Sequence, residues 1–356
     1  MKKSLVTIFY LLVLISCKTN ISEIDKSDVT TDSLRESTEM VGKWTEKAVF
    51  PGGARYGAFG FSLNNKIYLG GGHQAFQLGN DSKDNILKDF WQYDPTTNVW
   101  TQRANLPFSG ILYGVSFTIN EKGYLTAGIV DEASSNVFTY SNSLWEYNPK
   151  LDEWTQKKSF PGISRVYAVG FSHDQKGYVG LGNSADAGTF YNDLWQYNVE
   201  EDSWSQKQSL TIAGEKYALS LSTSQYGYII LSNNGAAVNA CWRYDFNKDG
   251  WSKVEGLNAY APEDARFTGT GFVLNDRIYY KPFYKRSNEP LASYSSDFWS
   301  YNAHTNQWQK AIDTRGFNLP NKIGFAVKNK GYLVLGHNFS ARSLQTTTSL
   351  WEYSLE

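Results

Sequence analysis

Short runs of alternating apolar and polar positions fill residues 41–356, and turn residues such as Gly, Pro, Asn and Asp separate one run from the next. Side chains two apart on a strand share a face, and no run shows the spacing of an amphipathic helix. The runs recur in groups of four, which we letter a to d in chain order. The pattern therefore predicts an all-β fold of four-stranded antiparallel sheets.

The first run of each group, strand a, has one face made of small residues. An apolar anchor lies seven residues before a Tyr in six places: Phe61, Phe117, Phe171, Leu221, Phe272 and Phe325. The residue before each anchor is Gly or Ser, and the residue three before it is Ala or Gly in five repeats and Lys322 in the sixth. We interpret these strands as the innermost ones, where six copies crowd around one axis.

A Trp-x-Tyr motif marks strand c, and a second Trp follows nine residues after the first. Complete copies start at Trp91, Trp145, Trp195, Trp242 and Trp299. A sixth copy starts at Trp351, but the sequence stops at Glu356, and the remaining Trp, Trp44, supplies the missing partner. Self-similarity at this period is typical of propellers, so the spacing predicts six blades, the last one closed by residues 42–46 as its strand d.

These motifs resemble the kelch repeat, for which six blades are the norm. The resemblance covers essentially all of residues 41–356. The departure lies in the kelch Gly-Gly doublet, which is clear only in Gly70-Gly71-Gly72. The resemblance therefore implies the fold and transfers no function from a particular kelch protein.

The N-terminus has the pattern of a lipoprotein signal. Two Lys precede an apolar run too short to span a bilayer, and residues 14–17 read Leu-Ile-Ser-Cys, which resembles the bacterial lipobox. We expect a signal peptide over 1–16, a flexible tether over 17–40 with a lipidated Cys17, and the propeller over 41–356. The protein would then be an anchored, monomeric component of the bacterial cell envelope, most naturally at the outer membrane.

Composition excludes some functions. The formal net charge is −1, which gives no argument for nucleic-acid binding, and four His are too few and too scattered for a dedicated metal site. We predict no cofactor and no metal. A copper oxidase resembling galactose oxidase would need a Cys cross-linked to a Tyr, but Cys241 occupies a core position of strand c, so we reject that function.

Loop lengths point to one end of the propeller as the functional face. The gap from the strand-b Tyr to the strand-c Trp varies from 14 to 23 residues, whereas the a–b and c–d turns keep their length. In a four-stranded blade the b–c and d–a links emerge at the same end. Binding residues concentrate on loops held by a rigid scaffold, so we expect the ligand there.

Several cations and two histidines fall on this face. Arg55, Arg165 and Arg266 lie six residues before their anchors, Lys216 and Lys322 lie nearby, and His73 and His337 occupy matching positions in blades 1 and 6. The arginines either hold a carboxylate, a sulfate or an acidic peptide, or bond neighbouring loop carbonyls as structural residues. The histidines either approach each other or form a chance surface pair. Aromatic residues of the long loops either stack on sugar rings or cap the blade ends.

Two functions fit this face. The first, which we favour, is a binding module for a glycan or a protein, which needs no catalytic group. The second comes from the resemblance, because bacterial sialic-acid mutarotases (N-acetylneuraminate epimerases) are six-bladed kelch propellers. An isomerase acting on an anionic sugar would need a poised acid and base, and the sequence identifies neither.

Overall fold

The computed structural model describes residues 42–74, 85–131, 138–184, 188–212, 218–231, 241–254, 266–285, 298–311, 319–340 and 343–355. All of them lie in one unit, Met40–Glu356. The predicted signal peptide, the tether and Cys17 lie outside these residues. No helix within the described ranges has the length and apolar character needed to cross a bilayer.

The described residues fold into β-strands joined by turns. The first fourteen strands are β1 (Gly42–Lys47), β2 (Arg55–Tyr56), β3 (Phe59–Leu63), β4 (Lys66–Gly70), β5 (His73–Gln74), β6 (Phe90–Asp94), β7 (Val99–Arg103), β8 (Ile111–Leu112), β9 (Val115–Ile119), β10 (Lys122–Thr126), β11 (Ile129–Asp131), β12 (Phe138–Tyr140), β13 (Leu144–Asn148) and β14 (Glu153–Lys157). The others are β15 (Val169–His173), β16 (Lys176–Gly180), β17 (Leu194–Asn198), β18 (Ser203–Lys207), β19 (Leu219–Ser222), β20 (Tyr226–Ile230), β21 (Cys241–Asp245), β22 (Gly250–Val254), β23 (Arg266–Leu274), β24 (Arg277–Lys285), β25 (Trp299–Asn302), β26 (Gln307–Lys310), β27 (Ile323–Val327), β28 (Lys330–Val334), β29 (His337–Ser340), β30 (Ser343–Thr346) and β31 (Leu350–Leu355).

Within the described ranges these strands form six four-stranded antiparallel sheets, which we call blades. In chain order they are β3-β4-β6-β7, β9-β10-β13-β14, β15-β16-β17-β18, β19-β20-β21-β22, β23-β24-β25-β26 and β27-β28-β31-β1. The first strands of successive blades contact each other in a closed cycle, because β27 meets β3 as well as β23. The all-β class and the four antiparallel strands per sheet are confirmed.

The N-terminal strand completes the last blade, as the Trp spacing predicts. β1 pairs with β31 over six residues, and Trp44 lies opposite Tyr353. The Trp44 ring packs at 5.1 Å from the ring of Tyr353 and at 5.6 Å from that of Phe298 in blade 5. The two ends of the propeller chain therefore share one sheet.

The small residues have a more specific role than crowding around an axis. Four of the anchor rings pack against a glycine of the next blade's strand b. A Cβ added to Gly123, Gly177, Gly227 or Gly331 would overlap the ring of Phe61, Phe117, Phe171 or Phe272, respectively. The small face of strand a itself meets the preceding blade, since a Cβ on Gly60 would come within 2.7 Å of Phe325. Both faces of the inner strands thus pack between blades.

Local residue choices set the turns. The a–b turn of blade 1 has φ of 51° and 60° at Asn64 and Asn65, the left-handed pair that a two-residue hairpin requires. In the c–d turn the Asp94 side chain accepts the backbone N–H of Thr96 at 2.9 Å. These turns belong to the end of the propeller opposite the b–c and d–a links.

Blade 5 departs from the other blades because of a proline. In blades 1, 2, 3 and 6 strand b is followed by a residue with positive φ: Gly71, Ala127, Leu181 and Leu335. Pro282 takes this position in blade 5, and its ring holds φ near about −65°. The chain does not turn there, so β23 and β24 continue as a hairpin of two nine-residue strands towards the end of the propeller where the b–c and d–a links emerge.

Candidate functional site

Arg55 lies in the link that enters blade 1, and its side chain is only 1% exposed. Nη1 and Nη2 donate to the two carboxylate oxygens of Asp89 at 2.6 and 2.8 Å. The guanidinium also donates to the carbonyls of Gly53, Gly71 and Gly52. All five of its N–H groups are therefore used inside the protein.

Arg165 repeats this arrangement in blade 3 and is also 1% exposed. It donates to both carboxylate oxygens of Asp193 at 2.5 and 2.9 Å, and to the carbonyls of Ile163 and Leu181 at 2.8 and 2.9 Å. The guanidinium carbon lies 4.3 Å from the centre of the Tyr191 ring. The aromatic residue here caps the arginine and the end of the blade.

Two roles were predicted for these arginines: binding an anionic ligand, or bonding neighbouring loop carbonyls. Their geometry matches the second role. Each guanidinium is buried, holds an internal carboxylate through two hydrogen bonds and also donates to loop carbonyls. This geometry favours the scaffold role of Arg55 and Arg165 over the ligand-binding role. Arg266 begins β23, but its side chain lies outside the described residues, as does all of Lys216.

Lys322 is the corresponding cation of blade 6, and it lies directly before β27. Its Nζ donates at 2.7 Å to the carbonyl of Leu335, the positive-φ residue that follows strand b. The arginines of blades 1 and 3 bond the same carbonyl in their own blades. Blade 6 lacks the accompanying acid, because Ser349 stands two residues before the strand-c Trp, where blades 1 and 3 have Asp89 and Asp193.

A second buried lysine, Lys281 of blade 5, acts electrostatically on Lys322 of blade 6. Lys281 lies on β24 opposite Thr270 and is 1% exposed, while Lys322 is 7% exposed. Burial, and after it the charge of Lys281, lowers the pKa of Lys322 to about 8. Both effects disfavour the protonated form of the Lys322 amine.

Tyr56 brings the two predicted histidines together. Its ring stacks on His73 at 5.0 Å and lies 5.6 Å from the ring of His337. Both histidines are buried, so they are not a chance surface pair. Burial lowers the pKa of His337 to about 4, and this imidazole is therefore neutral at pH 7.

Two further tyrosines extend this aromatic contact around the axis. The ring of Tyr113 lies 6.2 Å from that of Tyr56 and 4.5 Å from that of Tyr167. All three tyrosines are half-buried. Tyr113 and Tyr167 have φ of 56° and 54°, a conformation that disfavours large side chains and recurs at functional sites.

Asn183 occupies in blade 3 the position that His73 and His337 occupy in blades 1 and 6. Its amide nitrogen donates to the carbonyl of Ser184 at 3.0 Å. Its Oδ1 is buried and accepts no hydrogen bond from the described residues. We define the mouth as the residues before strand a, or towards and beyond the end of strand b, at the end of the propeller where the b–c and d–a links emerge: Tyr56, His73, Tyr113, Tyr167, Asn183, Lys281, Lys322 and His337.

The mouth contains residues that the sequence interpretation missed. Tyr113 and Tyr167 each stand four residues before their anchors, and Lys281 interrupts an otherwise apolar strand. Aligning the repeats on the anchors would have exposed both signals. The described ranges contain no group of three or more His, Cys, Asp or Glu able to hold a metal ion. Cys241 is buried, and burial raises its pKa to about 12.

Comparison with known proteins bears on the fold and on the family. The model of the kelch motif matches residues 54–107. The solved structure of YjhT aligns with 85% of this chain and 96% of its own at a TM-score of 0.64 and 16% identity, which shows a shared fold. This chain is a kelch-type β-propeller.

Two curated relatives of the propeller are N-acetylneuraminate epimerases. The protein of Shigella sonnei (strain Ss046) is 29% identical and that of Escherichia coli (strain K12) 28% identical, each over 113 residues. The match covers 31% of this chain and 29% of each relative, so the chain spans less than a third of the length of the curated relatives it matches. The propeller is similar to these enzymes over that stretch.

Proposed function

We propose that the mouth of this propeller binds a sugar that carries a carboxylate. The observation that carries the proposal is the position of Lys322, a cation that holds the Leu335 carbonyl where blades 1 and 3 use an Arg–Asp pair, but with Ser349 in place of the acid. Its neighbour Lys281 adds a second charge of the same sign. A ligand carboxylate would be attracted to Lys322 and could accept hydrogen bonds from its amine.

The tyrosines supply the other half of the site. Asn321 Nδ2, next to Lys322, donates to the carbonyl of His337 at 3.1 Å, and the His337 ring lies 5.6 Å from that of Tyr56. Asn321 and His337 therefore link the neighbourhood of Lys322 to the aromatic rings. Aromatic walls with a few convergent polar groups are the usual lining of small-molecule sites, which favours a glycan over a protein ligand.

Titration calorimetry with N-acetylneuraminate and with the neutral N-acetylglucosamine tests this proposal. We expect binding of the acidic sugar to the wild type, and loss of about 2 kcal/mol or more in Lys322→Met, because the anion then lacks its charged partner. Lys150→Met removes a 76%-exposed lysine at the opposite end of the propeller and is the matched control. Equal affinity for both sugars, or equal losses in both variants, would overturn the proposal.

Epimerase activity at the same mouth is the second candidate, and the similarity to N-acetylneuraminate epimerases favours it. Anomer interconversion needs a group that gives and takes protons near the working pH, and Lys322 has a pKa of about 8. Exchange spectroscopy of N-acetylneuraminate would show faster interconversion with the wild type than with Lys322→Met. Binding without any acceleration would leave a binding module.

Membrane attachment is a proposal that rests on the N-terminal sequence. We propose that Cys17 carries the lipid and holds the propeller in the cell envelope, where its loop face meets the ligand. Metabolic labelling with a radioactive fatty acid should mark the wild type and not Cys17→Ala. Labelling of both proteins, or of neither, would exclude the anchor.

A further inference from the structure

We propose that Lys322 is a nucleophilic amine that forms an imine with a 2-oxo carboxylic acid at the mouth. This goes beyond binding of an acidic sugar, because it assigns a covalent step to one nitrogen. It shares the mouth with the proposed function, but it does not require that any sugar binds there. The argument rests on where the amine lies, what surrounds it and how the repeats differ.

The position of the amine is fixed by one hydrogen bond. Nζ donates to the Leu335 carbonyl at 2.7 Å, and a Cβ added to the adjacent Gly336 would lie 3.2 Å from both Cγ and Nζ of Lys322, so the glycine leaves room for the side chain. A neutral amine keeps two N–H groups, so it can hold this bond and still offer its lone pair. The side chain is therefore oriented while it remains able to react.

The surroundings favour the neutral form. Lys322 is 7% exposed, and the neighbouring charged group is another lysine, Lys281. Desolvation and an adjacent cation are the two means by which proteins activate amine nucleophiles. With a pKa of about 8, Lys322 has on the order of a hundredfold more free amine at pH 8 than a lysine of ordinary pKa.

The other blades show that this environment is specific to blade 6. Arg55 and Arg165 bond the same carbonyl in their blades, but a guanidinium stays protonated, and each is neutralised by Asp89 or Asp193. Blade 6 combines the titratable cation with Ser349. In blades 1 and 3 an arginine holds the carbonyl that follows strand b. Holding that carbonyl therefore does not by itself explain why blade 6 has a lysine.

The reaction balances without a further reagent. The lone pair of neutral Nζ attacks the ketone carbon, and the carbonyl π electrons move to oxygen, which takes the proton from nitrogen to give a carbinolamine. Loss of the hydroxyl with one proton as water then leaves the C=N bond. No electron is gained or lost, and addition of water reverses the step.

A 2-oxo acid fits this pair of lysines better than a simple ketone. Its carboxylate and its carbonyl are on adjacent carbons, so Lys281 can attract the anion while Lys322 attacks the neighbouring carbon. A ketone without a carboxylate lacks the attraction and should react less.

Borohydride trapping tests the inference on the intact propeller. The wild type is incubated with pyruvate and sodium cyanoborohydride at about pH 8, and the reduced adduct is located by peptide mass spectrometry. We expect the adduct at Lys322, with at least about tenfold more label than at the exposed Lys150. Acetone at the same concentration should label Lys322 several-fold less.

Two variants separate this chemistry from general surface labelling and from sugar binding. Lys322→Arg keeps the charge and should abolish the adduct, whereas Lys150→Arg should leave labelling of Lys322 unchanged. Lys281→Met removes a charge that lowers the pKa of Lys322, so the pH at which labelling is half-maximal should rise. Label spread evenly over surface lysines, or a wild type with no adduct at Lys322, would overturn the inference. Either result can occur whether or not N-acetylneuraminate binds, so failure of the two proposals is distinguishable.

Discussion

The hydroxyl of Tyr147 donates a 2.6 Å hydrogen bond to Oδ1 of Asp152, five residues later in the same blade. That oxygen also accepts the backbone N–H of Ala104 in the preceding segment at 3.0 Å, and Trp154 Nε1 donates to the Ala104 carbonyl at 3.1 Å. Asp152 and Trp154 thus hold the N–H and the carbonyl of Ala104, and Tyr147 orients Asp152. We call this set of three hydrogen bonds the latch. The same latch recurs at Asn98, Asp202 and Asp249.

The repeated sequence pattern therefore has a physical reason beyond packing. The Tyr of Trp-x-Tyr and the Trp nine residues after the first Trp both belong to the latch. Asp152 has φ of 57°, which Asp and Asn tolerate better than most residues. The Asn98 latch acts on Ala48, directly after β1, so it also secures the ring closure.

Replacing Asp152 with Ala should destabilise the propeller by about 2 to 4 kcal/mol, because a buried tyrosine hydroxyl and a backbone N–H both lose their acceptor. Tyr147→Phe removes one of these bonds and should cost about 1 kcal/mol. Urea unfolding followed by tryptophan fluorescence measures both. Glu121→Ala, on the same end of the propeller, breaks only the exposed pair with Lys150 and should change the stability by less than about 1 kcal/mol. Equal effects of Asp152→Ala and Glu121→Ala would contradict the latch.

A methyl group at Gly177 should disturb the contact between blades 2 and 3. The new Cβ would overlap the Phe117 ring, so the ring or the strand must move, at about 1 to 3 kcal/mol. Gly250→Ala is the matched control, since the nearest atom to its Cβ is the Lys248 carbonyl oxygen at 3.8 Å. Thermal unfolding of the two variants should therefore differ. A Gly177→Ala protein as stable as Gly250→Ala would show that the anchor does not need this glycine.

Ring closure predicts a large effect of truncating Trp44. Its ring contacts Tyr353 in its own sheet and Phe298 in blade 5, so Trp44→Ala should cost about 3 to 5 kcal/mol. The exposed neighbour Lys43 serves as the control, and Lys43→Ala should be near neutral. Denaturant titration with circular dichroism distinguishes the two. Equal stabilities would mean that β1 does not hold the ring together.

Affinity for the acidic sugar should depend on pH through Lys322. The fold lowers the pKa of this amine to about 8, and only the protonated form attracts a carboxylate. Affinity should be level below about pH 8 and fall as the pH rises, by up to about tenfold per unit until the pKa of the complex is reached. Lys322→Arg, which stays charged, should lose this decline. Calorimetry in buffers between about pH 6 and about pH 10 provides the profile. A wild-type profile that is flat through about pH 9 would rule Lys322 out as the carboxylate's partner.

The fold could be predicted from sequence because the repeat displays its own geometry. The anchor, the Trp-x-Tyr motif and the position of Trp44 specified the strands and the closing pair. The extended hairpin of blade 5 could not be read from spacing. It follows from Pro282, which blocks the left-handed conformation that Gly71, Ala127, Leu181 and Leu335 adopt at this position.

The site was harder to predict, because a cationic residue in the sequence does not show whether an acidic residue pairs with it in the fold. Arg55 and Arg165 looked available, but each repeat with an Arg at this position also has an Asp two residues before its strand-c Trp, whereas the other repeats do not. The pairs are Arg55 with Asp89, Arg165 with Asp193 and Arg266 with Asp297, against Ser143, Ala240 and Ser349. Lys322 is a cation without such an Asp in its repeat. Its pKa is lowered first by burial and then by the charge of Lys281, and both effects arise only when the blades pack together.

A crystal structure of the propeller soaked with N-acetylneuraminate tests the central claim most directly. The account predicts sugar density at the mouth, with the carboxylate within hydrogen-bond distance of Lys322 Nζ and the sugar against the rings of Tyr113 and Tyr167. Density at another surface, or a mouth whose electron density stays unchanged at saturating sugar, would contradict it.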